Sequence, residues 1–98
     1  AHDLSLALPV APWEAALGAT VKVPTPEGVV ELKIPPGSAQ GRKMRLKGRG
    51  IPARSPGDLY VVLQIALPPA DSAASKKLYQ QMRDELIFNP RSHMGVGA

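Results

Sequence analysis

The sequence predicts a mainly β domain of two layers, a sandwich or barrel-like fold with one short helix and one C-terminal helix. Two observations predict it. Apolar residues alternate with other residues over several short stretches, and nearly all of the eleven prolines and nine glycines fall between those stretches. Period-two alternation places every second side chain on one face, so each stretch is typical of a strand with one buried face. Proline and glycine mark the turns between strands.

The first predicted strand covers residues 4–10, where leucine and valine occupy every second position. Pro9 has no N–H group to donate to a neighbouring strand, so it favours a sheet edge or a bulge. The stretch at 12–17, PWEAAL, predicts a short helix, because proline suits the first helical turn. Gly18 is expected to end this helix in a left-handed conformation.

A hairpin is predicted next, formed by Thr20–Val23 and Val29–Ile34 around the segment PTPEG. Pro26 sets one turn angle and Gly28 can supply a positive φ, which is the chemistry of a tight turn. The alternation assigns two groups of side chains, an inward group of Val30, Leu32 and Ile34 and an outward group of Glu31 and Lys33.

The longest predicted strand runs from Asp58 to Leu67. Both of its faces are mostly apolar, so we expect it to be central in its sheet and covered on each side. The predicted core draws on all the strands and consists of Leu6, Leu8, Val21, Val23, Leu32, Ile34, Leu46, Leu59, Val61, Leu63 and Ile65.

After Pro68 and Pro69 the apolar period changes from two to about four residues. Asp71 or Ser72 can cap a helix that extends to about Leu86. The chain is therefore predicted to contain a β-domain over residues 1–70 and a helix with a tail over 71–98. One stripe of the helix is apolar, formed by Ala74, Leu78, Met82 and Leu86.

Half of the twelve cations lie in one stretch without an acidic residue, at Arg42, Lys43, Arg45, Lys47, Arg49 and Arg54. Met44 and Leu46 alternate with these cations, which predicts a strand with an apolar inner face and a cationic outer face. Two interpretations stay open, a solvated strand face and a patch that contacts phosphates. Base stacking is not predicted, because no aromatic residue is interleaved with the cations.

The sequence predicts no catalytic, cofactor or metal site, and therefore no enzyme. Gly37 and Gly41 are one residue too close for a P-loop, and prolines interrupt any helix after the glycine motif at 48–53. The chain has no cysteine, and its two histidines, His2 and His93, lie at opposite ends of the sequence. No apolar run approaches the length of a membrane span.

Three motifs occur together in order: PWEAALG at 12–18, the pattern IPPG…RLKGRG at 34–50, and GDLY at 57–60. With them, the segment 4–91 resembles the second C-terminal β-domain of Hsp40 (DnaJ-type) co-chaperones, which has the peptide-binding domain fold of that family. Among family members it is most similar to the bacterial curved-DNA-binding branch, whose tail the segment FNPR at 88–91 also resembles. In that family such glycines serve turns, so the resemblance implies that the basic stretch is a strand between two turns.

The resemblance implies a non-catalytic fragment that supports the binding of unfolded client polypeptides for delivery to Hsp70. The His-Pro-Asp tripeptide that stimulates Hsp70 and the zinc repeats of some members are absent from this sequence. Contact with Hsp70 would therefore need the J-domain and the first β-domain of a longer protein. The family also implies a cytoplasmic location, with association to DNA and the nucleoid in the curved-DNA-binding branch.

Homodimerisation through the C-terminal helix and tail is also expected from the resemblance, with six residues as candidates, Leu78, Tyr79, Met82, Leu86, Ile87 and Phe88. Periodicity alone leaves a second arrangement open, in which the helix folds back on its own sheet. A second function is open as well, a nucleic-acid-binding β-barrel module that uses the basic face from Arg42 to Arg54.

Overall fold

The computed structural model describes residues 2–95 and Gly97, and within them the chain forms two sheets. One sheet has three strands in the order β1-β5-β4, and the other pairs β2 with β3. The chain divides into two compact units, the first ending at Leu67 and the second starting at Pro68. The predicted fold class is confirmed. The elements in chain order are β1 (Leu4–Val10), α1 (Pro12–Leu17), β2 (Ala19–Thr25), β3 (Gly28–Ile34), β4 (Lys43–Leu46), β5 (Leu59–Ile65), α2 (Ala73–Glu85) and a 3-10 turn (Ser92–Met94).

β1 lies at one edge of the three-stranded sheet and pairs with β5 in parallel, with Leu8 opposite Leu63. This confirms the edge position that Pro9 predicted, since an edge strand leaves one row of N–H groups without a ladder partner. A parallel pair requires a long crossover connection, and here that connection includes all the elements from α1 to β4.

α1 has the bounds that the sequence predicted. Pro12 opens it, and the backbone N–H of Ala11 donates a hydrogen bond of 2.8 Å to Oε1 of Glu14. Ala15 faces the core and is buried. The prediction for Gly18 is only partly right: its φ is +81°, but its ψ of 152° lies outside the left-handed helical region.

The predicted hairpin is present as β2 and β3, which pair in antiparallel fashion up to Thr25 and Gly28. Gly28 has a φ of +128°, and the hydroxyl of Thr25 donates a hydrogen bond of 2.6 Å to the Gly28 carbonyl. The inward and outward assignments are confirmed: Leu32 and Ile34 are buried and Val30 is half-buried, while Glu31 and Lys33 are exposed.

β5 is the central strand, as predicted, but it ends earlier than expected. The expectation that it is covered on each side is only partly right, because Tyr60 and Val62 on its second face are half-buried and Gln64 is exposed. Ile65 was assigned to the core and is 38% exposed, and Leu67 is 75% exposed. The reason is the length of β4, whose pairing with β5 extends only to Val62, so Ile65 has a strand on one side alone. The N–H of Ile65 instead donates a hydrogen bond of 2.7 Å to Oε1 of Gln40.

The core is one cluster built from both sheets and α1. It contains Val10 and Ala15, which the predicted core omitted. Leu6, Val21 and Leu46 pack against it but are only partly buried. The buried members are Leu8, Val10, Ala15, Val23, Leu32, Ile34, Leu59, Val61 and Leu63.

In the second unit, α2 begins after Ser72, which is one of the two predicted caps. The Ser72 hydroxyl accepts a hydrogen bond of 3.1 Å from the backbone N–H of Ser75. The hydroxyl of Tyr79 donates to the carbonyl of Pro68, which ties the helix to the segment before it. No residue of α2 is buried. Between residues 2 and 95, the structure has no helix long and apolar enough to cross a membrane.

Candidate functional site

The basic stretch forms a strand between two turns. β4 lies between turns at residues 40–41 and 47–48, as the family resemblance implied. Met44 and Leu46 pack against the core, and Lys43 and Arg45 lie on the opposite, outer face of the sheet. All six predicted cations are exposed, including Arg42, Lys47, Arg49 and Arg54 outside the strand.

Asp58 is the acid to which one of these cations is paired. Its Oδ2 lies 2.5 Å from Nε of Arg45, and its Oδ1 accepts a hydrogen bond of 2.8 Å from the backbone N–H of Gly48. The Gly48 hydrogen bond and the charges of Arg45 and Lys47 lower the pKa of the Asp58 carboxyl, against the opposing effect of its partial burial. Asp58 therefore remains ionised at neutral pH and offsets the charge of Arg45.

Within the part of the chain that the structure describes, the other five cations of the stretch form no ion pair with an acidic side chain. Lys43 lies in β4, Arg42 precedes it, Lys47 lies in the turn after it, and Arg49 and Arg54 lie in the following loop. The structure therefore brings a concentrated positive charge to one edge of the three-stranded sheet.

Tyr60 is the residue that the sequence interpretation missed. Register places Tyr60 directly opposite Arg45, and Nζ of Lys43 lies 4.6 Å from the centroid of its ring. No aromatic residue is interleaved with the cations in the sequence, but the fold places one beside them. The only signal in the sequence was the alternation in β5, which puts Tyr60 on the face opposite Leu59. Alternation does not reveal which strand lies beside it.

The outer face of the three-stranded sheet can be read from the register. Ser5 and Ala7 of β1 stand opposite Tyr60 and Val62 of β5, and Lys43 of β4 stands opposite Val62. Tyr60 and Val62 are half-buried, and the small residues of β1 are exposed. We call this surface the outer sheet face: Ser5, Ala7, Pro9, Lys43, Arg45, Tyr60, Val62 and Gln64.

The loop after β4 is held close to the start of β1. The N–H of Gly50 donates a hydrogen bond of 3.0 Å to the Gly57 carbonyl, and the N–H of Ile51 donates one of 2.7 Å to the His2 carbonyl. The backbone N–H of Asp58 also donates a hydrogen bond of 2.7 Å to Oδ1 of Asp3. Backbone contacts therefore tie the segment containing Arg49 to the sheet.

The second candidate surface is the apolar side of α2. Leu78, Met82 and Leu86 are exposed, and the chain continues into Ile87 and Phe88, which are exposed as well. Tyr79 differs from the other five candidates, because it is half-buried and its hydroxyl bonds to Pro68 within the same unit. We call the exposed set the apolar helix end: Leu78, Met82, Leu86, Ile87 and Phe88.

Comparison with known proteins gives a consistent result. Residues 1–68 match the family described as the DnaJ C terminal domain. The chain is 52% identical over 92 residues to a curved DNA-binding protein of Coxiella burnetii, covering 94% of this chain and 29% of that protein. It is 46% identical over 96 residues to a curved DNA-binding protein of Salmonella arizonae, covering 96% of this chain and 31% of that protein. The chain thus spans less than a third of the length of these relatives.

Proposed function

Because the chain belongs to the family of DnaJ C-terminal domains, we propose that it is the part of an Hsp40-type co-chaperone that supports client binding and pairs two copies of the protein. The resemblance expected from the three sequence motifs is confirmed. The family and the relatives point to a non-enzymatic co-chaperone domain. Client binding, dimerisation and delivery to Hsp70 belong to the proposal.

The observation that carries the proposal is the apolar helix end. Five large apolar side chains are exposed on and after α2, and Phe88 is 73% exposed. A group of exposed large apolar side chains close together in the chain is typical of an interface between proteins. We propose that a second copy of the chain packs on the apolar helix end, because a closed two-fold dimer brings the same surface of both copies together.

A homodimer of the longer protein would carry two client sites. A client held at one site would meet the second site at a high effective concentration. Contact with Hsp70 would come from the J-domain and first β-domain, which lie outside this sequence. A protein with these partners would act in the bacterial cytoplasm, and at the nucleoid when it also binds DNA.

Charge substitution in the apolar helix end tests the dimer. Met82→Glu combined with Phe88→Glu should yield a folded monomer at micromolar concentration, since two carboxylates facing their symmetry mates oppose association. Mass by light scattering should fall by about half while the far-UV circular dichroism spectrum is retained.

The matched control is Lys76→Gln with Gln80→Glu, which makes the same change in net charge at exposed positions elsewhere on α2 and should leave the dimer intact. Loss of the fold in the first variant, with an unchanged mass for the protein that remains folded, would contradict the dimer and favour a helix that folds back on its own sheet.

A second candidate function, DNA binding, is favoured by the cations around β4, which are exposed and unpaired in the described residues except at Arg45. The relatives named above are curved DNA-binding proteins. Contacts made by these cations would be to phosphates, so they would position the protein without reading sequence.

Titration of a DNA duplex at low salt should show weak binding that fades as salt is added. Replacing Lys43, Lys47 and Arg49 with glutamine should weaken binding to all sequences equally and reduce the slope of log K against log salt by about 3, or about 1 for each lost phosphate contact. Sequence-selective binding that survives high salt would contradict this function.

A further inference from the structure

The outer sheet face combines an aromatic ring with cations, and we propose that it binds single-stranded nucleic acid, with one base stacked on Tyr60 and the backbone phosphates held by the neighbouring cations. The proposal deepens the second candidate function and rests on it. It specifies that the nucleic acid bound at this face is single-stranded.

The geometry of the face suits a stacked base. Tyr60 is half-buried, so the strand holds its ring in place, and Ser5, which stands opposite it in β1, is too small to cover it. Val62 extends the apolar surface by one row, with Ala7 beside it. The face is therefore a shallow apolar platform, which a flat base can cover without displacing backbone.

The charges around the platform suit a nucleic-acid backbone. The outer sheet face itself has no acidic residue, and the acid beside it, Asp58, is paired with Arg45 and offsets that one charge. Lys43 and Arg45 lie in β4, about 7 Å apart along the strand, and Lys47 and Arg49 follow in and after the turn. Cations close to an exposed-face aromatic ring supply the two kinds of contact, to phosphate and to base, that proteins use to hold unpaired strands.

The cation over the ring does not block the site. Lys43 lies over the Tyr60 ring at an exposed position, where a cation–π contact is weaker than the stacking of a base on an aromatic side chain. A base can therefore displace the ammonium group. The flexible lysine then reaches a phosphate of the same strand, so its charge still contributes to binding.

A duplex cannot use this platform. Its bases are stacked on one another, so a duplex offers only its phosphates and groove edges to a flat sheet. Stacking on Tyr60 requires a base with a free face, which an unpaired strand provides. The inference therefore predicts two contributions to binding. Single strands and duplexes share a salt-dependent affinity for phosphates, and single strands gain a further affinity that depends on Tyr60.

The test uses fluorescence anisotropy with a fluorescein-labelled twelve-nucleotide oligo(dT) and a labelled duplex of twelve base pairs at low salt. Tyr60→Leu should weaken binding of the single strand about 5- to 100-fold and change duplex binding by less than about 2-fold. Tyr60→Phe keeps the ring and should bind the single strand like the parent chain. Equal effects of Tyr60→Leu on the two ligands, or none on the single strand, would overturn the inference.

A second pair of variants keeps the test decisive if Tyr60→Leu does not fold. Ala7→Glu adds a carboxylate to the outer sheet face at an exposed position, and Val29→Glu makes the same charge change at an exposed position of β3 in the other sheet. Only Ala7→Glu should weaken single-strand binding strongly, whereas equal weakening by both variants would count against the inference.

The same titrations separate this inference from the function on which it rests. Salt-sensitive duplex binding with no effect of Tyr60 on the single strand would leave phosphate binding standing and refute the stacking site. Absence of binding to both ligands at low salt would refute both.

Discussion

Leu63→Ala is expected to lower the free energy of unfolding by about 2 to 5 kcal/mol. Leu63 has 0% of its surface exposed and lies in β5, between β1 on one side and the segment leading into β4 on the other. Truncation leaves a cavity in the core. The chain segments on both sides of β5 are hydrogen-bonded to it, so the surrounding backbone can relax little. Chemical denaturation followed by circular dichroism measures the loss.

Ile65→Ala is the matched control, because it removes a similar side chain from the same strand where Ile65 is 38% exposed and has a strand on one side only. Its cost should be clearly smaller, at about 1 kcal/mol. Similar losses at the two positions would contradict the assignment of Leu63 to the centre of the core.

Gly18→Ala is expected to cost about 2 to 4 kcal/mol of stability, from two causes that add. Gly18 combines a φ of +81° with a ψ of 152°, a conformation that is open almost only to glycine. A Cβ atom built at this position would also lie 2.9 Å from the carbonyl oxygen of Ile34, which is backbone and cannot swing away. The shift in thermal midpoint and in denaturant midpoint measures the effect.

Gly37→Ala is the comparison variant at a positive φ without a steric contact. Gly37 also has a positive φ, +72°, but a Cβ there would meet no atom within 4 Å. We expect this variant to lose only about 1 to 2 kcal/mol, the strain of a left-handed alanine. An equal loss at both glycines would mean that contact with Ile34 contributes nothing.

Several features of the candidate surfaces were predictable from local sequence. Cations that alternate with Met44 and Leu46 predicted a strand with a charged outer face, and the structure has that strand. The apolar stripe after Ser72 predicted a helix with a non-polar side. Each of these predictions depends on neighbours in sequence, because the period of a helix or strand is a property of the local backbone.

The pairing of Arg45 with Asp58 and the position of Lys43 over Tyr60 were not predictable in that way. Both contacts depend on β4 lying antiparallel to β5 in one particular register. A shift of one residue would turn Tyr60 toward the core and Leu59 toward solvent. The register is determined by burial of Leu59, Val61 and Leu63 in the assembled core.

The sequence by itself determined several local features of this protein: the bounds of the short helix, the hairpin turn, the start of the C-terminal helix to within one residue, and the alternation of the strands. The tertiary structure alone decided which strands are neighbours. It paired β1 with β5 in parallel and placed an aromatic ring beside the cations. It also ended the pairing of β4 with β5 at Val62, which leaves Ile65 partly exposed. The physical reason is that periodicity states which face of a strand is apolar. Which strand pairs with which depends instead on how the apolar faces of all the strands can be buried together.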